Sequence, residues 1–219
     1  MGRELRIRKD VRLPIKNLGG WFCWVDELPE RPTVLSAGIG GDVGFERALV
    51  EDFGATVHAF DPTPDAVEWI GSQVIGEGFY FHAWALSGKD ATLRMFRRTN
   101  KKGKKSAMMW TISEQAAASD NAIEVKAYSV GTAMTELGLE KLDILKLDIE
   151  GAEYPVLETL AGLDMRPGQI LVEFHHRFPS IGKAKTESAL AELRRIGYRV
   201  YAISDTGREL SLVHDELLG

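Results

Sequence analysis

The chain has 219 residues, 44% of them hydrophobic, with 27 basic against 32 acidic side chains and a formal net charge of -5. That length suits one α/β domain able to bury roughly 70% of its unfolded surface, and the acidic balance argues against polyanion binding by the molecule as a whole. Cys23 is the single cysteine, which excludes an internal disulfide and a thiolate metal cluster within the chain. Met1 to Asp10 alternates charged and apolar residues without an apolar core. It is neither a signal peptide nor a membrane span, and a cytoplasmic location is expected.

Residues 1–32 form an N-terminal arm or accessory segment ahead of the main domain, 33–219. Leu5, Ile7, Val11, Leu13 and Ile15 suit a strand or an extended arm, and Asn17-Leu18-Gly19-Gly20 suits a turn. Trp21, Phe22 and Trp24 are expected to cover one edge of the main domain. Thr33 to Ala37 is the first core strand, followed by the glycine turn Gly38-Ile39-Gly40-Gly41 and a helix from Asp42 or Val43 to Phe53. Val57 to Phe60 is a second strand that ends on Asp61. Strand, glycine turn, helix, strand and acid make half of a nucleotide-binding sheet. The glycines let the backbone turn and a ligand approach, and Asp61 stands where a carboxylate accepts from two ribose hydroxyls.

A short helix is expected over Asp65 to Ile70, a third strand across Phe79 to Leu86, and an additional strand over Ala91 to Phe96. The run from Arg94 to Lys105 is the strongest charge feature. It is either a solvated loop or a flap that draws an anionic substrate. Nucleic acid is not expected, because no interleaved aromatic pattern, zinc finger or recognition helix accompanies the charge. Residues 106–135 are a polar, alanine-rich connection with a strand at Ile123 to Ala127 and a helix from Gly131 or Thr132 to Leu137.

Ile144, Leu145 and Leu147 suit an interior strand with Asp148 at its carboxyl end, in the same mouth as Gly38 and Asp61. A helix over Glu153 to Leu160 follows. Gln169 to Phe174 is another apolar strand running into Glu173-Phe174-His175-His176, whose titratable groups must face the pocket or be paired in the core. Lys183 to Ile196 is a long helix, and Tyr198 to Ile203 with Leu210 to Val213 an antiparallel hairpin. His175 or His176 is a suitable base near neutral pH, with Glu173 or Asp148 to orient it. Glu150 and Glu153 extend the acid cluster, but the spacing is irregular and no metal is assigned.

The block Asp143-Ile144-Leu145-Lys146-Leu147-Asp148-Ile149-Glu150-Gly151-Ala152-Glu153 resembles the signature of FkbM-type methyltransferases, within the class I S-adenosylmethionine-dependent enzymes. Ser36-Ala37-Gly38-Ile39-Gly40-Gly41-Asp42, Phe60-Asp61-Pro62-Thr63 and Val172-Glu173-Phe174-His175-His176 are similar to one branch of that group. The resemblance covers about residues 33–215. It implies a single Rossmann-like α/β domain with a mostly parallel seven-stranded sheet and an antiparallel C-terminal hairpin. It also implies S-adenosylmethionine as methyl donor and a hydroxyl oxygen of a small-molecule, sugar or lipid acceptor. By the same resemblance, Gly38 and Gly40 approach the methionine part of the donor, Asp61 the ribose, and Trp84 and Ala85 the adenine. Asp148 lies at the transfer face. Ser36 stands where many class I enzymes carry an acid for the methionine amino group, a charge that Asp42 or Asp148 could supply instead. A nicotinamide dehydrogenase is the nearest enzymatic alternative, but its third glycine would fall at Val43. A binding protein that keeps the pocket without turnover is the other.

Overall fold

The computed structural model describes residues 7–99, 105–111 and 122–219. Strands β1 (Lys16–Leu18) and β2 (Trp21–Cys23) form an N-terminal hairpin, and β3 (Thr33–Ala37) begins the large sheet. Then follow α1 (Gly44–Phe53), β4 (Thr56–Phe60), α2 (Pro64–Ile70), β5 (Phe79–His82), β6 (Ala85–Leu86), β7 (Ala91–Thr99), β8 (Lys105–Thr111) and β9 (Ala122–Tyr128). The remainder is α3 (Val130–Glu136), β10 (Ile144–Leu147), α4 (Glu153–Thr159), β11 (Gln169–Glu173), α5 (Lys183–Arg195), β12 (Tyr198–Ile203) and β13 (Glu209–His214).

The large sheet has the order β12-β13-β11-β10-β3-β4-β5. Strands β5, β4, β3, β10 and β11 are parallel, and β13 inserts antiparallel between β11 and β12. This is the seven-stranded arrangement with its antiparallel C-terminal hairpin that the family resemblance implies. The central strands β3 and β10 are buried on both faces, which is why they read as nearly continuous apolar runs. Successive residues serve opposite layers. Leu35, Leu145 and Leu147 pack with α3, α4 and α5, whereas Val34 and Ile144 pack with Phe45 and Leu49 of α1.

The N-terminal hairpin closes the sheet's far side. Trp24 and Phe22 pack with Tyr201, Ala202 and Val213 on the β12–β13 hairpin, while Trp21 lies against Phe45 of α1. Gln169 secures the junction, donating from Nε2 to the Trp24 carbonyl at 2.7 Å and accepting from the Trp24 N–H at 3.3 Å. Only Gly19 and Gly20 form the tight turn, because Asn17 and Leu18 pair within β1. Among the described residues no helix is long and apolar enough to cross a membrane.

Two expectations are corrected. The strand expected across Phe79 to Leu86 breaks at Ala83 and Trp84: β5 ends the large sheet, and β6 starts a four-stranded sheet of order β6-β9-β7-β8. The segment following the basic run is not a plain connection, since β8 pairs antiparallel with β7. The strand expected over Ala91 to Phe96 is present and runs on to Thr99 as β7, with Arg94 exposed between half-buried Leu93 and Met95. The middle of the basic run, 100–104, lies outside the described residues. Arg97, in β7, is bound to Asp65 at 2.8 Å and stacks over Trp110.

In the outer part of the sheet, His58 Nδ1 lies 3.0 Å from His82 Nε2, with Tyr80 stacked on the His58 ring. Burial, then the neighbouring His82, brings the His58 pKa down to about 4, and burial also lowers that of His82. Both are neutral in the fold, so the unfolded chain binds more protons once pH falls below the ordinary histidine range. Stability is therefore complete above that range and is lost as pH falls from about 6.5 toward 4. Thermal melts between pH 7 and pH 5 are expected to show a falling midpoint, with a shallower slope in His58→Phe; equal slopes would remove this pair as the cause.

Candidate active site

A cavity of about 320 Å³ opens at the carboxyl ends of β3, β4 and β10. Its floor is the turn Gly38 to Gly41 with Asp61, Asp148 and Glu150 at the sides, and Leu93, Met95 and Trp110 of the second sheet form an apolar wall. Gly38 has φ +79°, and a Cβ there would fall 1.7 Å from the Asp148 carbonyl oxygen. Only glycine brings the turn this close to the end of β10. Gly40 differs: its φ is +51°, a Cβ there would meet nothing within 4 Å, and its N–H donates to Asp61 Oδ2 at 3.0 Å. Asp61 Oδ1 accepts from the Thr63 N–H at 3.0 Å and from its hydroxyl at 2.6 Å. Asp61 thus ties the glycine turn to the start of α2 as well as lining the cavity.

Below the turn lies an ion pair that the sequence analysis missed. Lys146 is 4% exposed and Glu46 1%, with Nζ 3.5 Å from Oε1. Lys146 also donates to the Gly38 carbonyl at 3.2 Å and sits over the Trp21 ring, while the Ser36 hydroxyl donates to Glu46. Ser36 therefore points to the α1 side, away from the cavity, because Ala37, the next residue of β3, takes the cavity face. Asp42 is exposed and accepts from the Gly44 N–H at 2.8 Å. Of the two acids considered as substitutes for one at Ser36, Asp148 alone lines the cavity. The available signal was a lysine inside an otherwise apolar strand, which a buried carboxylate must neutralise.

Trp84 does not line the cavity. It packs against Phe60, His82 and Tyr128, with ring centroids 6.2, 4.9 and 5.0 Å away, and Ala85 and Leu86 face the cavity instead. The break between β5 and β6 at this point turns the indole toward the space between the sheets.

The end of β11 brings Glu173 and His175 behind Asp148. Glu153, the first residue of α4 and fully buried, accepts from the Gly151 N–H at 2.8 Å and the His175 N–H at 2.9 Å. Its Oε1 also lies 3.3 Å from His175 Nδ1. Glu153, rather than Glu173 or Asp148, orients the imidazole. His175 Nε2 then faces Asp148 at 3.9 Å and Glu150 at 3.8 Å. Glu150 reaches this position on a left-handed backbone, φ +52°, a conformation that costs a non-glycine residue about 1–2 kcal/mol. Burial opposes charge on His175, but the hydrogen bond to Glu153 and the charges of Glu153, Glu150 and Glu173 outweigh it and hold its pKa above the usual histidine value. Burial and then the Asp148 charge push Glu173 up to about 7, against the pull of His175 and of Arg208, which pairs with it at 2.8 Å. His176 stands apart: burial and the charges of Arg177, Lys183 and Arg208 lower its pKa. Its Nδ1 has no hydrogen-bond partner among the described residues.

The glycine turn depends on the Lys146–Glu46 pair. Removing one member of a buried pair typically costs about 3–5 kcal/mol. Glu46→Ala is expected to lower unfolding stability by that amount in urea titrations, and a loss below about 1 kcal/mol would show that Lys146 finds another partner.

Residues 30–200 match the family described as "Methyltransferase FkbM domain". The chain is 25% identical over 181 residues to "Probable methyltransferase-like protein 24" of Rattus norvegicus, and 24% identical over 176 residues to the Homo sapiens protein of that name. Each match takes in 76% of this chain and 41% of the relative, so the chain spans about two fifths of the length of these curated relatives. Among solved structures, the Methanococcus jannaschii fibrillarin pre-rRNA processing protein superposes with a TM-score of 0.52 at 11% identity, over 92% of this chain and 71% of that one. That likeness is one of fold. The family match takes in well over half of the 219 residues, and the chain accordingly belongs to the FkbM-domain methyltransferases.

Proposed function

We propose that the protein transfers a methyl group from S-adenosylmethionine to a hydroxyl oxygen of a small-molecule or glycan acceptor. The observation that carries this proposal is the position of Asp148, which lines the cavity beside the glycine turn and also meets the oriented His175. The residues fit the donor. Gly40 leaves open space where a side chain would intrude, Asp61 keeps acceptor capacity beyond the bonds it makes to the chain, and Leu86, Leu93, Met95 and Trp110 suit an apolar ring.

When bound, the donor supplies an electrophilic methyl group on a sulfonium leaving group. The protein's part is to hold the acceptor oxygen in line behind that carbon, which recovers roughly 7–11 kcal/mol of the barrier in well-oriented systems. Asp148 accepts the hydrogen bond of the acceptor hydroxyl and takes its proton as the oxygen–carbon bond forms and the sulfur–carbon bond breaks. His175, held by Glu153, fixes the Asp148 side of the site. The apolar wall from the second sheet excludes water that would compete as acceptor. The basic run from Arg94 to Lys105 begins within β7, the strand that carries Leu93 and Met95 of the cavity wall, and this supports an acceptor with an anionic group. The family match supports methyl transfer over hydride transfer.

Calorimetric titration with S-adenosylmethionine, with its demethylated product and with NADH tests the donor. Binding of the first two, weakened at least about tenfold in a folded Asp61→Ala variant, is expected. Preference for NADH, or no binding by folded protein, would overturn the assignment. With an acceptor found by screening hydroxylated compounds for label transfer, Asp148→Asn should lower kcat by about 10²- to 10⁴-fold while the circular dichroism spectrum is kept.

A further inference from the structure

We infer that Asp148, Glu173 and His175 form a divalent-cation site at the acceptor side of the cavity. The three residues come from the end of β10, the last position of β11 and the loop beyond it. Each offers one ligand atom, and these atoms lie within 4.8 Å of one another. His175 is 7% exposed, and its ring is fixed through Nδ1 by the fully buried Glu153. A carboxylate behind a ligating imidazole is the usual arrangement that sets its tautomer and orientation. With Nδ1 so engaged, Nε2 points at Asp148 and Glu150 and makes no hydrogen bond among the described residues. Its 3.9 and 3.8 Å separations from their oxygens are too long for one. Two ligand atoms on one ion stand about 3–3.5 Å apart when each bond is near 2.1 Å, so side-chain movement of up to about 1.5 Å between the atoms farthest apart would complete the site.

Charge points the same way. Asp148, Glu150, Glu153 and Glu173 surround His175, and Arg208 pairs with Glu173. A divalent cation bound here would take the place of the protons that these carboxylates and the imidazole otherwise attract. One imidazole with carboxylate oxygens suits borderline to hard ions of the first transition row, Mn²⁺ among them. The purpose of the site rests on the methyl-transfer proposal: a cation here would lower the pKa of the acceptor hydroxyl, with Asp148 keeping its second oxygen for the proton.

The test is titration of the chelator-treated full chain with MnCl₂, following free Mn²⁺ by electron paramagnetic resonance, alongside calorimetry with S-adenosylmethionine. One ion per chain is expected, bound at least about tenfold more weakly in Glu173→Gln and His175→Ala, and about 10- to 100-fold more weakly in Glu153→Gln. Glu173 lies outside the cavity lining, so Glu173→Gln should still bind the methyl donor and thereby report its own folding. No Mn²⁺ binding by protein that binds the donor would overturn the cation site and leave the methyl-transfer proposal standing. Binding that the variants do not weaken would show an adventitious ion only and overturn it as well. Variant-sensitive Mn²⁺ binding without donor binding would uphold the cation site while the methyl-transfer proposal failed.

Discussion

The close approach of Gly38 to the carbonyl of Asp148 joins the two halves of the site. The N–H of Asp148 donates to the Ala37 carbonyl at 2.9 Å, and the Gly38 N–H donates to the Phe60 carbonyl at 2.9 Å. The ends of β10, β3 and β4 are thereby laced together at the point where the chain must turn. Any side chain on Gly38 would force the turn away from Asp148. The donor cavity and the acid cluster would then separate, since Asp148 belongs to both. Lys146 supports this contact from below by holding the Gly38 carbonyl, and Glu46 neutralises the lysine. A buried ion pair is weak evidence for stability, but here it specifies the position of a backbone turn.

Around that junction, rigid elements divide the work. The parallel strands deliver Asp61, Asp148 and Glu173 to one edge, as open α/β sheets do at their carboxyl ends. Among the described residues, the second sheet supplies the apolar wall of Leu93, Met95 and Trp110. It is fastened to α2 through Asp65, which accepts from Trp110 Nε1 at 2.8 Å and pairs with Arg97. Asp61 and Thr63 tie the start of the same helix to the glycine turn. The wall and the floor therefore share α2 as a common anchor.

His175 and His176 are adjacent, equally buried and chemically identical, yet their environments push their proton affinities in opposite directions. One meets carboxylates and the other arginines and a lysine. Adjacent residues leaving a strand point to different sides, so the charge that each meets is fixed by packing. Glu153 is a similar case. As an acid in the first turn of a helix it has an ordinary local role, but its burial against the His175 backbone and ring makes it the group that sets the imidazole.

Local pattern was enough to determine the core strands β3, β4, β10 and β11 with their helices, the glycine turn, the acid after β4 and the carboxylate at the end of β10. Hydrophobic period and turn chemistry act over a few residues, and a parallel sheet brings its strand ends together by construction. The split between β5 and β6, the second sheet, the outward turn of Ser36 and the withdrawal of Trp84 depend on which distant strand each segment pairs with. Lys146 with Glu46, and Glu153 with His175, are separated by 100 and 22 residues along the chain. Such pairings are decided by the desolvation of buried charge, which forces distant partners together only once the surrounding layers have closed.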